Sequence, residues 1–265
     1  MNKINIIDNK VISNNIKDIY LNDFTKCNYL NINKNSLFIY IPHNVITELE
    51  LICEYSNKED IILVIDKNSS LKTFEFKTGP KLEGSITYIL LDNASLEINK
   101  FSNITKLNEE ININLNGINS QVDCYFSTIS TDTNTYNISI NHNNKKTKSN
   151  IINRGVSLDG SSLTFNLVGT IYNDMIDSIL NQDSKIIVMG DNNSIIEPKL
   201  FIYEDKVEAK HSAVIGRFRD EELFYLKSRG LSEETAFQLL IKGFLFGFLN
   251  ITSEQKYEII KNIIN

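Results

Sequence analysis

Residues 63–71, LVIDKNSSL, and residues 89–96, ILLDNASL, share one phrase. A short run of aliphatic residues is followed by Asp with Asn nearby, then by Ser, and then by another apolar residue. Asn and Asp, like Gly, tolerate the left-handed backbone conformation, which lets the chain turn sharply. The phrase therefore predicts the end of one strand, a tight turn and the start of the next strand.

The phrase recurs along much of the chain. Further copies lie at residues 113–120, 156–163 and 187–195, with a fainter one at 35–37. The first three full copies are about 25 residues apart, a period typical of stacked repeats that bury their apolar faces on each other. Many short strands could also form a sandwich or a barrel. Because two-residue hairpin turns are scarce and one turn phrase recurs, we favour a parallel β-helix.

Helix signals replace the strand phrase near the C-terminus. The acids Asp220–Glu222 suit a first helical turn, and Gly230 suits the end of that helix. Ser232 is a typical N-cap for a second, strongly apolar helix. Thr252–Gln255 reads as a capping box for a last helix that ends near Ile264.

These signals divide the chain into three parts. Residues 1–30 form a short N-terminal segment, in which residues 16–24 are expected to form one short helix or strand. Residues 31–218 form the β-helix core, and residues 219–265 form a C-terminal helical docking domain. The fold class is thus mainly β with a small α-helical domain at the C-terminus.

Composition narrows the functional classes. The chain has 265 residues, a net charge of −6 and a pI of about 5.2, which disfavours nonspecific binding to nucleic acid. The N-terminal sequence lacks the apolar run of a signal peptide, and no stretch reaches the ~20 apolar residues of a membrane span. We therefore expect a cytoplasmic protein that binds neither nucleic acid nor membrane. The cysteines are scattered and are expected in the core: Cys27, Cys53 and Cys124.

Candidate chemistry is sparse. Neither a phosphate-binding loop, nor an HExxH motif, nor a G-x-S-x-G motif is present. His43 and His142 lie in polar, turn-like surroundings and are expected to be structural or solvated. His211 lies at the end of the repeats, and its residue type alone favours a structural role over a ligand role. Asp174 and Asp177 are the best acid pair for a carbohydrate-active β-helix enzyme, but the chain has no Trp to stack on sugars.

The junction between strands and helices resembles a known family. Residues 198–216, PKLFIYEDKVEAKHSAVIG, and residues 221–231, EELFYLKSRGL, resemble the SufB/SufD core family of the SUF machinery for iron–sulfur cluster assembly. Residues 154–160 and 41–45 are similar to two further segments of that family. The resemblance implies a right-handed parallel β-helix followed by a C-terminal helical domain.

The same resemblance implies partners and site residues. Family members pair as a B-type with a D-type subunit or as a B-type homodimer, and an ABC-type ATPase, SufC, docks on the C-terminal helices. A nascent cluster is thought to form at the dimer interface, and His211 matches a histidine that takes part there. Imidazole can ligate iron beside thiolates. The helical residues expected to contact a partner are Leu223, Phe224, Tyr225, Arg229, Phe237, Phe244 and Phe246.

Departures from the family pattern suggest a reduced role. B-type members have a cysteine about 28 residues before the histidine, where this chain has Asp183 and Ser184, and a Glu after it, where this chain has Ser212. D-type members commonly have a cysteine where this chain has Ala209. We therefore expect a non-enzymatic, D-like or reduced variant that pairs with a SufB-like chain or with itself.

Such a chain would bind no cofactor stably by itself, and a transient iron–sulfur cluster would form at the subunit interface. Two alternatives stay open. One is a structural adaptor of the same fold that never binds iron, and the other, less favoured, is the carbohydrate-active enzyme.

Overall fold

The computed structural model describes residues 1–27 and 35–263. These residues form strands along most of their length, with helices confined to the C-terminal part. The strands are β1 (Asn2–Ile7), β2 (Lys10–Asn15), β3 (Tyr20–Leu21), β4 (Leu37–Ile41), β5 (Ile46–Glu54), β6 (Lys58–Ile65), β7 (Ser70–Leu90), β8 (Ser95–Leu115), β9 (Gln121–Ser130), β10 (Thr133–His142), β11 (Lys148–Ser157), β12 (Ser162–Ile171), β13 (Ile179–Val188), β14 (Ile195–Ile202) and β15 (Glu208–Gly216). The helices are α1 (Asp220–Ser228), α2 (Glu233–Phe246) and α3 (Ser253–Ile263).

The strands coil into a parallel solenoid of about seven turns. The first sheet contains β1, β5, β9, β11, β13 and β15, and the second contains β4, β6, β10, β12 and β14. The long strands β7 and β8 run through both sheets. This topology confirms the parallel β-helix predicted from the repeated phrase and is incompatible with a sandwich of antiparallel hairpins.

The register explains the spacing of the phrase. Ser70 pairs with Ser95, and Ser95 pairs with Gln121, so successive coils are offset by 25 and 26 residues. Lys148 pairs with Ile179, which is an offset of 31 residues. The coils thus lengthen toward the C-terminus, in agreement with the longer intervals seen in the sequence.

Asparagine residues make the recurring turn. Asn44, Asn68, Asn93 and Asn119 all have φ between 56° and 59°. Their backbone N–H groups donate to carbonyl oxygens of the next coil. The side chain of Asn93 also donates to Asn68 Oδ1 at 2.9 Å, and that of Asn119 donates to Asn93 Oδ1 at 3.1 Å. The left-handed conformation required here is one that asparagine adopts readily.

The solenoid interior is mostly aliphatic, but three central coils carry buried charges. Lys77 Nζ lies 2.5 Å from Glu59 Oε1 and 2.6 Å from Glu109 Oε1, and Lys100 pairs with Glu109. These four residues are at most 1% exposed. Gly84 lies between Glu59 and Glu109 in the register of the second sheet and adds no side chain to that gap.

The C-terminal helices fold back along the side of the solenoid. Phe246 of α2 meets Phe101 of β8 edge-on, with 5.3 Å between the ring centroids. Gln255 of α3 donates to Glu50 Oε1 of β5 at 2.9 Å. The helices therefore cover the outer face of the first sheet and leave the last coil uncovered. The buried apolar residues between the helices and the first sheet are Phe74, Phe76, Phe101, Ile129, Val156, Ile187, Leu245, Phe246, Leu249 and Ile259.

Local helix signals are confirmed. The Ser232 side chain accepts the Thr235 N–H at 3.2 Å. Thr252 and Gln255 exchange hydrogen bonds of 2.9 and 3.2 Å, as a capping box requires. Gly230 follows α1 with φ +90°, which suits a helix terminator. The predicted end of the last helix, near Ile264, lies outside the described residues.

The N-terminal segment is continuous with the solenoid. β1 pairs in parallel with β5 and antiparallel with β2, and β3 pairs antiparallel with β4. Residues 16–24, expected to form one helix or strand, contain the short strand β3 and lead into a 3₁₀ turn at Phe24–Cys27. The boundary predicted between residues 30 and 31 lies outside the described residues.

Candidate functional site: the open end of the solenoid

The last strand of each sheet is exposed. Within the described residues, β15 pairs only with β13, and β14 pairs only with β12. Neither strand has a fully buried residue. Large apolar side chains are therefore in contact with solvent at this end: Ile195, Phe201, Ile202, Tyr203, Val214 and Ile215. Unpaired strand edges with exposed apolar side chains are surfaces that another chain can extend.

His211 lies on β15 at this open end and is exposed. Its register partner on β13 is Gln182, which continues inward to Ile151 on β11 and Cys124 on β9. Because in-register residues of a parallel sheet lie on the same face, these side chains form one ladder along the interior wall. His211 is the last residue of that ladder. It therefore lies on the interior side of the final strand, at the end where a further coil would stack.

The polar side chains below His211 carry no charge. Asn153 of β11 and Ser184 of β13 are buried, and Asn153 Nδ2 donates to Ser184 Oγ at 3.0 Å. Both face the interior, since they share their ladder with Phe126. The buried polar groups near the open end are thus neutral, unlike the charged ones of the central coils.

Helix α1 presents aromatic side chains to solvent. Phe224 is 74% exposed and Tyr225 is 57% exposed. The Arg229 guanidinium lies 5.3 Å from the centroid of the Tyr225 ring. Leu223 and Phe237 are half-buried. No residue of α1 is buried, and this helix contacts mainly α2.

Two of the expected contact residues, Phe244 and Phe246, pack inside the protein. Phe246 is 5% exposed and packs on Phe101. Phe244 is half-buried, meets Phe218 with 6.2 Å between centroids, and lies under the Lys185 ammonium. Both hold α2 against the solenoid. Among the expected contact residues, the ones exposed to solvent are Phe224, Tyr225 and Arg229, at the C-terminal part of α1 and just after it.

The other histidines and the cysteines lie away from the open end. His142 is buried between Thr147 and Ser149, at 2.7 and 2.8 Å, and burial lowers its pKa to about 4. His43 is exposed in a turn. The structural or solvated roles expected for these two histidines agree with this placement.

All three cysteines are buried, as expected. Burial raises the pKa of both Cys53 and Cys124 to about 12. These two thiols are therefore protonated and poor nucleophiles at neutral pH.

The acid pair considered for sugar chemistry has a local role. Asp174 and Asp177 have φ of 65° and 61°, as turn residues do. The Asp177 N–H donates to the Lys206 carbonyl oxygen of the next coil at 2.9 Å. Both residues thus turn the chain between coils.

The described residues lack two kinds of feature. Among them, no three His, Cys, Asp or Glu side chains are grouped so that they could hold a metal ion. No helix in the same part of the chain is long and apolar enough to cross a bilayer.

The chain is therefore a parallel β-solenoid protein with an exposed, histidine-bearing end and a helical tail. The family described as "SUF system FeS cluster assembly, SufBD core domain" matches residues 84–244. Because this match covers more than half of the chain, the chain belongs to the SufBD core family.

Individual relatives agree with that assignment. The chain is 26% identical over 259 aligned residues to the iron–sulfur cluster assembly protein SufD of Bacillus subtilis, covering 80% of this chain and 59% of that protein. It is 30% identical over 104 residues to SufB of the same organism, covering 38% and 22%. A SufBD family protein of Pyrococcus horikoshii is 56% identical over 48 residues, covering 18% and 11%. The chain thus spans about three-fifths of the length of the B. subtilis SufD protein.

Sequence comparison alone missed one residue of the site. Counting about 28 positions back from His211 leads to Asp183 and Ser184, but the register places Gln182 beside the histidine. Asp183 shares a ladder with Ile152 and pairs through its carboxylate with Arg154 on the outer side of the sheet. The alternation of buried and half-buried residues along β13 is the signal that separates Gln182 from Asp183.

Proposed function

We propose that this chain is a cytoplasmic, non-catalytic, SufD-like subunit of an iron–sulfur cluster assembly complex. It pairs with a SufB-like chain, or with a second copy, through the open end of its solenoid. It also docks a SufC-type ATPase through α1. The observation that carries the proposal is the exposed edge of β14 and β15 with His211 on it, in a chain of the SufBD core family.

The open end suits a second solenoid as partner. A solenoid needs its terminal coils covered, because their apolar rungs otherwise face water. The helices lie on the side of this solenoid and leave β14 and β15 free. A partner strand added to β15 would satisfy its backbone groups, and the partner's interior would cover Ile215 and His211.

The positions of the cysteines relative to His211 support an iron site that is shared between two chains. The sequence has no cysteine after Cys124, and Cys124 lies three rungs below His211 in the same ladder. At ~4.8 Å between strands, these two residues are roughly 14 Å apart. In this proposal the partner supplies thiolates for a cluster at His211, and this chain supplies the imidazole. The cluster is cargo of the complex.

The exposed face of α1 supports ATPase docking. Within the described residues, Phe224 is the most exposed aromatic residue of the helical part, Tyr225 is 57% exposed, and Arg229 stacks on Tyr225. Aromatic and arginine side chains of this kind dominate the binding energy of many interfaces. A docking surface so close in sequence to β15 would link movement of the ATPase to the open end.

Reconstitution tests both parts of the proposal. The full chain is mixed with the SufB-like and SufC-type proteins, and cluster formation is followed by visible absorbance. His211→Ala should lower the cluster yield, while His43→Ala, an exposed histidine far from the open end, should leave it unchanged. Equal yields for the two variants would contradict a role in iron handling and would favour the adaptor that binds no iron.

Docking is measured on the same proteins. Phe224→Ala should weaken binding of the ATPase by about 30-fold, as expected for an anchor worth about 2 kcal/mol. Tyr257→Ala is the matched control, since Tyr257 is 65% exposed on α3. Equal affinity of the Phe224→Ala variant and the unmodified chain would place the ATPase elsewhere.

A further inference from the structure

Gln182 occupies a special position in the solenoid. It lies on β13, directly beside His211 of β15 in the parallel register. Neighbouring strands of a sheet are ~4.8 Å apart, and in-register side chains lie on the same face. The side chain of Gln182 is thus the nearest in-register neighbour of His211 on the preceding strand, β13.

The amide of Gln182 is buried without a partner. The residue is 3% exposed, and neither Oε1 nor Nε2 has a hydrogen-bond partner in the described part of the chain. A buried polar group without a partner destabilises a fold, so such a group needs a reason. One rung further in, the same ladder holds the apolar residue Ile151.

The surrounding structure makes room for this amide. Gly169 of β12 lies across the interior, where a Cβ would come within 2.9 Å of Gln182 Nε2 and 2.6 Å of Leu180 Cδ1. The nearby polar pair, Asn153 and Ser184, bond to each other at 3.0 Å. Asn153 Oδ1 is also buried without a partner, but it lies on β11, and the polar side chain next to the amide on the following rung is His211.

We propose that Gln182 is a positioning residue for His211: its amide oxygen accepts the N–H of one ring nitrogen. The other nitrogen then carries the lone pair and faces the open end, where a partner or iron can meet it. Ligating histidines commonly have one ring nitrogen fixed in this way by a neighbouring oxygen. The role of the hydrogen bond in iron handling rests on the function proposed above, whereas the hydrogen bond itself does not.

Three variants separate positioning from packing. Gln182→Met has nearly the same shape but no acceptor, so it should fold at least as stably as the unmodified chain. Gln182→Glu keeps an acceptor oxygen and should restore the behaviour of Gln182. Ile151→Val changes packing one rung further in and leaves the amide intact.

The tautomer of His211 is the direct readout. Histidine labelled with ¹⁵N is incorporated into the full chain, and the two ring-nitrogen shifts of His211 are recorded at one alkaline pH. One tautomer should dominate in the unmodified chain, in Gln182→Glu and in Ile151→Val, and a mixture should appear in Gln182→Met. Identical His211 shifts in the unmodified chain and in Gln182→Met would overturn the proposal. The exposed His43 is the internal reference.

Cluster yield in the reconstituted complex separates the two proposals. Gln182→Met should lower the yield by about 10-fold, the smaller loss typical of an altered partner of a metal ligand. If His211→Ala has no effect but Gln182→Met still changes the tautomer, the positioning role stands and the iron function fails. If His211→Ala lowers the yield but the tautomer is the same in Gln182→Met, the positioning role fails.

Discussion

The two ends of the solenoid are built from the same repeated phrase but are finished differently. At the N-terminal end, antiparallel strands terminate both sheets, and α3 reaches the outer face of β5. At the C-terminal end, β14 and β15 stay exposed and apolar side chains face water. The central coils contain buried ion pairs, whereas the buried polar pair near the open end, Asn153 with Ser184, is neutral. The difference shows that one end of the solenoid is covered, whereas the other leaves two strand edges in contact with solvent.

The largest effect is expected from the buried charges of the central coils. Lys77→Met leaves Glu59 and Glu109 without the ammonium between them and should lower the free energy of unfolding by ~3–5 kcal/mol. Urea denaturation measures this loss. Lys72→Met is the control, because the half-buried ion pair of Lys72 with Glu97 should contribute ~0–1 kcal/mol. Similar losses for both variants would mean that the buried ion pairs do not distinguish this part of the solenoid.

The next effect concerns the attachment of the helices. Phe246→Ala removes a ring packed on Phe101 and should cost about 3 kcal/mol. Phe224→Ala removes a ring that is 74% exposed and should change stability by less than about 0.5 kcal/mol. Thermal unfolding of both variants checks the pair. Equal losses would mean that α1 is as firmly packed as α2.

The pH dependence of stability should also differ between Glu59, on β6, and His142, on β10. Burial, opposed by Lys77, raises the pKa of Glu59 from 4.5 to about 7. The stability that Glu59 contributes is therefore complete below pH 4.5 and is lost as the pH rises through 7. Burial lowers the pKa of His142 from 6.5 to about 4. Its contribution is complete above pH 6.5 and is lost as the pH falls through 4, so the two slopes oppose each other.

Glu59→Gln should unmask the contribution of His142. The change in the free energy of unfolding from pH 4.5 to pH 6.5 is the quantity to compare. In this variant, that change should be more positive than in the unmodified chain by on the order of 1–3 kcal/mol. Urea denaturation at several pH values measures the difference. Parallel curves for the variant and the unmodified chain would show that Glu59 does not hold a proton in this range.

The smallest effect on stability, yet the clearest on assembly, is expected at the open end. Val214 is 47% exposed on the edge strand β15, so Val214→Asp should alter stability by less than about 0.5 kcal/mol. A charge on an edge strand opposes pairing with another strand. Light scattering should show loss of the dimer or of the complex with the SufB-like chain. Ile46→Asp, 85% exposed near the closed end, should leave assembly unchanged.

The sequence predicts the repeating part of the fold well, because its signals are local. Asn68 and Asn93 mark turns by their backbone preference, and Ser232 marks a helix start by its side chain. Lys77 and Glu109 could not be placed, since charged residues are normally solvated and only the stacking of coils brings their partners together. Their burial is a tertiary property that no single repeat contains.

The site could be predicted only in part for the same reason. His211 was found through its resemblance to a family motif, but that comparison gives no register between strands. A shift of one residue moves a side chain to the opposite face of a sheet, and this separates Gln182 from Asp183. Phe246 and Phe224 are equally aromatic in the sequence, and only the packing of α2 on β8 shows that one is buried and the other exposed.

The return of the tail along the solenoid has a practical consequence. Gln255 Nε2 lies 3.9 Å from Met1 Sδ, so the start of the chain and the final helix meet far from β15. An affinity handle or a fluorophore fused near Met1 would therefore sit at the opposite pole from the strand edges. Molecules anchored to a biosensor chip by that handle would leave their free strand edges accessible to the solution.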